Sequence, residues 1–126
     1  MTAVSRQALV SGLRPTDFTD SLTHNRHEST HWENFWTRKG LPVSACGYGR
    51  LSFHSDTFLP AQATSSRVHM LCLINNDIDE MLHGASLGAA NVQASLRVWL
   101  EHRFSSFSNS VQTLLQRGFS VYLTSD

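Results

Sequence analysis

Residues 41–74 read LPVSACGYGRLSFHSDTFLPAQATSSRVHMLCLI, and the fold turns on how this stretch is divided. Residues 41–46 read as a short strand and Gly47-Tyr48-Gly49 as a tight turn, because glycine supplies the backbone angles that hairpin turns use. Residues 50–59 alternate well enough to return as the hairpin partner. Residues 60–66 form a polar loop. Residues 68–74, VHMLCLI, are a continuous apolar run of strand length, the pattern of a central strand covered on both faces.

Outward from this core the chain reads as helices. Residues 3–13 form a short helix stopped at Arg14-Pro15. A second helix runs from Asp17 or Ser21 to Lys39. Thr16, Asp17, Asp20 and Ser21 offer N-caps, Arg38 and Lys39 suit the C-terminal dipole, and Gly40 sits where a terminating glycine belongs. Phe18, Leu22, Trp32 and Trp36 make its apolar stripe. After the strand, Asn75-Asn76-Asp77 turns the chain into a helix from Ile78, broken near Gly84 and Gly88. A longer helix covers residues 89–104, and Ser105 to Ser108 interrupts it. Asn109 caps a last short helix that Gly118 ends, and residues 119–123 alternate as a terminal strand. The expected order is α-α-β-β-β-α-α-β. It describes an α+β fold with a mostly antiparallel sheet of about four strands and helices packed on one face, in a single domain over residues 1–126.

Composition narrows the function classes. Ten basic and ten acidic residues leave no net charge, so the electrostatic surplus that nucleic acids and anionic membranes require is missing. No run approaches the roughly 18 apolar residues of a membrane span, and the N-terminal apolar stretch is too short for a signal peptide, so a cytoplasmic protein is expected. Cys46 and Cys72 form no CxxC pair and read as buried thiols in a reducing compartment.

One motif carries chemistry. Residues 27–31, His-Glu-Ser-Thr-His, match HExxH and over these five residues resemble the zinc metallopeptidases of the zincin type. Histidines four apart share one helix face and can share one zinc, and the intervening glutamate can act as base for the bound water. The resemblance implies His27 and His31 as metal ligands and Glu28 as the catalytic base. Departures are specific. The metzincin extension needs Gly and His where this chain has Asn34 and Thr37. A gluzincin needs a downstream Glu, and Glu80 is the first after Glu33. The remaining third-ligand candidates are His24, His54, His69 and His83. The flanking residues, Thr23 to Arg26 and Trp32 to Asn34, suit a solvated helix better than one in the middle of an enzyme.

Weaker likenesses fall away. The element order resembles a restriction-endonuclease core in which Asp56 would hold magnesium, but strand 68–74 carries neither Glu nor Lys. It also resembles a double-stranded RNA-binding domain, yet no basic cluster opens the second helix. Trp99, with Val98 and Phe104 beside the stripe of Val92, Leu96 and Leu100, gives a helix apolar on two sides, the pattern of a protein-binding face or a homodimer contact. The sequence therefore favours a small non-enzymatic interaction protein, an adaptor, inhibitor or regulatory subunit, partnered by another protein and requiring no cofactor. The alternatives are a zinc hydrolase using the motif at 27–31 and a nucleic-acid accessory protein.

Overall fold

The computed structural model describes residues 3–51, 59–84 and 88–124. These residues fall into two compact units, one of Met1–Gly49, Ala61–Leu73 and Leu123–Asp126, the other of Arg50–Pro60 and Ile74–Tyr122. Among the described residues no helix is long and apolar enough to cross a membrane.

The first unit opens with α1 (Ala3–Ser11). Gly12 ends it at φ 64°, and the Arg38 guanidinium donates to the Ser11 carbonyl at 3.0 Å, so the end of α1 is satisfied by the next helix. Single 3-10 turns follow at Pro15–Asp17 and Thr19–Ser21, and α2 begins only at Glu28 and runs to Arg38. The expected helix start at 17–21 is thus late by at least seven residues. The carboxamide nitrogen of Gln7 donates to the carbonyls of Ser21 and His24 at 2.6 and 3.0 Å. Those carbonyls would otherwise serve an α-helical ladder, so a contact from α1 outweighs the local N-cap signals.

The sheet corrects the sequence reading most sharply. Among the described residues it has two strands, β1 (Cys46–Arg50) and β2 (Met70–Ile74). The amide of His69 donates to the Ala45 carbonyl and that of Leu51 to the Ile74 carbonyl, so partners advance together and the pair is parallel. The mostly antiparallel sheet of about four strands is overturned. Its predicted turn, Gly47-Tyr48-Gly49, is the middle of β1, and residues 43–45 form a 3-10 turn instead of a strand. Gly47 is there for closeness: a Cβ on it would lie 2.9 Å from Leu71 Cδ1 and 3.0 Å from Val68 Cγ1. Residues 68–74, read as a central strand, have one neighbouring strand among the described residues and are half-buried from Met70 to Ile74. Of the expected hairpin partner, residues 50–59, Arg50 ends β1 and residues 52–58 lie outside the described residues, as do His54 and Asp56 within them.

Among the described residues, three helices lie in the second unit: α3 (Asp77–Gly84), α4 (Ala89–His102) and α5 (Phe104–Gln116). Asn75 Oδ1 accepts the Asp77 amide at 2.9 Å, the turn its sequence promised. The break expected at Ser105 to Ser108 is absent, for these serines are helical and the helices part at Arg103, φ −118°. Ser110 Oγ bonds back to the Ser106 carbonyl at 3.0 Å, a bond that keeps a serine inside a helix. Residues 119–123 are not a strand: Gly118 turns at φ 88° and the Phe119 amide donates to the Leu114 carbonyl, which closes the end of α5.

Candidate functional site

The helix α1 presents Arg6, Gln7, Val10 and Ser11 to the interior of the first unit, so three of its four buried residues are polar. That inversion needs partners, and the HExxH segment supplies them. Glu28, the first residue of α2, is 1% exposed. Its Oε1 lies 3.5 Å from Arg6 Nε, and its Oε2 accepts the Tyr48 hydroxyl from β1 at 2.5 Å. Burial, then the bond to Glu28, raises the Tyr48 hydroxyl well above the usual phenol range, so it stays a donor. Burial and then the Glu28 carboxylate push the Cys72 thiol up to about 11, with Arg6 opposing. One carboxylate thereby ties α1, α2 and the sheet together.

The histidines of the motif divide. His27 is exposed and precedes α2 as its N-cap residue, while His31 is half-buried one turn in. Its Nε2 lies 3.2 Å from Gln7 Oε1, and Gln7, 0% exposed, also accepts the Ser21 hydroxyl. The ring of His31 packs against Phe18 at 5.8 Å. Glu28 therefore turns inward, toward Arg6, while His27 stays at the surface. A base for zinc-bound water must reach that water, and this carboxylate is already committed to Arg6 and Tyr48. Among the described residues, no three His, Cys, Asp or Glu side chains are set as a metal-ligand sphere. His69 is exposed on its own, and the His83 side chain lies outside the described residues.

Burial lowers the His31 pKa below its ordinary value of 6.5, with His27 and then Arg38 adding and Glu28 opposing. The fold therefore prefers neutral His31. Its contribution to stability is full above about pH 6.5 and is lost as pH falls through the lowered value. In metal-free protein the urea midpoint should drop between pH 7.5 and 5.5, and His31→Gln should flatten that drop while keeping a donor for Gln7. An equal drop in wild type and variant would show that His31 carries none of it.

The second unit holds the other predicted residues, and here three come together. Trp99 Nε1 donates to Asp77 Oδ2 at 3.1 Å, which fixes the indole against the start of α3. Phe104 and Phe107 pack on that indole with centroids 6.1 and 6.2 Å away. Val98 and Phe104 remain 55% and 47% exposed. A groove of about 620 Å³ runs along α4, walled by Met81, Ala94, Val98 and Trp99, with Asp77, Glu80, His102 and Arg103 among its polar lining.

Family models, curated proteins and solved structures offer no match to this chain.

Sequence reading missed the members that make each site. Arg6, Gln7 and Tyr48 meet Glu28 and His31 across 20 or more residues. A signal existed only on α1, where polar residues hold the helical spacing that faces a core. Met81 and Ala94 enter the groove because α3 lies along α4, which local pattern does not specify.

Proposed function

We propose that this protein acts by binding another protein, through the α4 groove of its second unit. The observation that carries the reading is the pairing of a locked indole with exposed apolar neighbours: Trp99 is fixed by Asp77, while Val98 and Phe104 face outward beside it. A rigid aromatic anchor within a partly apolar, polar-rimmed groove is the usual chemistry of an interaction hot spot. The lining recurs at Asn91, Ala94, Ser95, Val98, Trp99 and His102, one face of α4 over about 16 Å. That length and spacing suit an amphipathic helix of the partner, laid apolar side down. The hydrolase reading loses its base to the Arg6–Glu28–Tyr48 cluster, and the neutral charge offers no support to a nucleic-acid role.

A photo-crosslinking residue placed at position 98 tests this directly. It should yield one defined adduct with a partner protein, whose crosslinked peptide has helical apolar spacing. The same residue at Leu9, exposed on α1, should not yield that adduct. Equal labelling from both positions, or none from 98, would overturn the reading.

A further inference from the structure

Three imidazoles at the start of α2 form a group that the interaction reading leaves unused. The rings of His24 and His27 stand 5.4 Å apart, centroid to centroid, and those of His27 and His31 stand 6.4 Å apart. Two imidazoles on one tetrahedral metal, with metal–nitrogen distances of about 2.0–2.1 Å, place their centroids roughly 5–6 Å apart. The His24–His27 spacing falls within that range and the His27–His31 spacing lies just above it.

The nitrogens are suitably prepared. His24 Nδ1 is buried and has no hydrogen-bond partner among the described residues. At His31 the proton can be placed by the neighbour. Gln7 Nε2 donates to the carbonyls of Ala3, Ser21 and His24, so Gln7 Oε1 is the atom facing the ring. A carboxamide oxygen only accepts, hence His31 Nε2 carries the hydrogen and Nδ1 keeps its lone pair. Metal-binding histidines are characteristically oriented this way, one nitrogen held by a second partner and the other left to coordinate. Gln7 also joins the outer two members, touching the His24 backbone and the His31 ring at once.

We propose that His24, His27 and His31 form a three-imidazole site for a divalent transition metal of the zinc type. As they stand the rings do not converge on one point. His27 is exposed, and holding one ion with the other two rings requires a change of its side-chain rotamer. Neutral imidazoles select zinc, copper or nickel over magnesium and calcium, which prefer oxygen. The fourth position is left to water or an exogenous ligand. Glu28 takes no part, since Arg6 and Tyr48 hold it in the interior, so the ion fastens the 24–27 segment to α2 and performs no hydrolysis.

The test is zinc itself, added to untagged protein stripped with chelator. Elemental analysis after dialysis should find about one zinc per chain, and zinc should raise the melting temperature where magnesium does not. His27→Ala should lose both effects while its metal-free melting temperature matches wild type, because that ring is exposed. His31→Ala is the second variant and should also lose the zinc. Sub-stoichiometric zinc in wild type, or one zinc retained in His27→Ala, would overturn the proposal, the latter placing the ion on other histidines. Neither result bears on the α4 groove.

Discussion

Glu28→Gln is expected to destabilise the fold by roughly 3–5 kcal/mol, the cost of removing the charge of one member of a buried ion pair. The substitution keeps the volume and still accepts the Tyr48 hydroxyl, so the loss isolates the charge opposite Arg6. Both side chains are about 5% exposed or less, which places the pair where water cannot replace the missing partner. In a chain of 126 residues this corresponds to a fall in melting temperature on the order of 10–20 °C. The double variant Arg6→Met/Glu28→Gln should recover much of the loss, since it removes the buried charge opposite position 28 and leaves the amide oxygen as acceptor for the Tyr48 hydroxyl. Urea titrations of wild type, both singles and the double measure the coupling. A catalytic Glu28 predicts the opposite pattern, with activity lost and stability unchanged.

The second large effect is expected at Gly12. Alanine there should cost about 2–5 kcal/mol by two separable routes. The backbone angle, φ 64°, costs an L-residue roughly 1–2 kcal/mol. The new Cβ would lie 2.7 Å from Phe35 Cε2 and 3.0 Å from Cδ2, so the ring must move. Phe35 has little room, being packed edge-on to Trp36 at 5.0 Å with Lys39 Nζ 5.9 Å above its face. Overpacking of this kind adds about 1–3 kcal/mol. Gly40 is the internal control: φ is 94°, and nothing lies within 4 Å of its would-be Cβ. Gly40→Ala should show the backbone part alone. Equal losses at the two positions in denaturant titrations would mean that the α1–α2 packing does not depend on this close approach.

The same residues show what could be read from the chain and what could not. Helix ends governed by local chemistry were legible: Arg14-Pro15, the Asn75–Asp77 turn and Gly118 each lie within a few residues of an observed boundary. Position 47 was not. Glycine between a cysteine and a tyrosine looks like a turn, whereas here it admits Leu71 of β2 and Val68 just before that strand, more than 20 residues later. Losing that turn removes the hairpin and, with it, the antiparallel sheet. The α2 start failed similarly, because the carbonyls that decide it are taken by Gln7 of α1. The motif at 27–31 was visible as a string, but its meaning depends on Arg6 and Tyr48, and no local pattern places either beside Glu28. The Val98, Trp99 and Phe104 group was recognised from its apolar spread, while the wall supplied by Met81 depends on tertiary packing.

The claim on which the functional reading rests is that the α4 groove binds a partner. Isothermal titration of the partner identified by crosslinking, into wild type and into Val98→Glu, tests it most directly. A charge placed at the centre of the apolar lining should weaken binding at least tenfold, about 1.4 kcal/mol or more, with the helical circular dichroism unchanged because Val98 is already exposed. Equal affinity in the folded variant would contradict the account and place the contact elsewhere on the molecule.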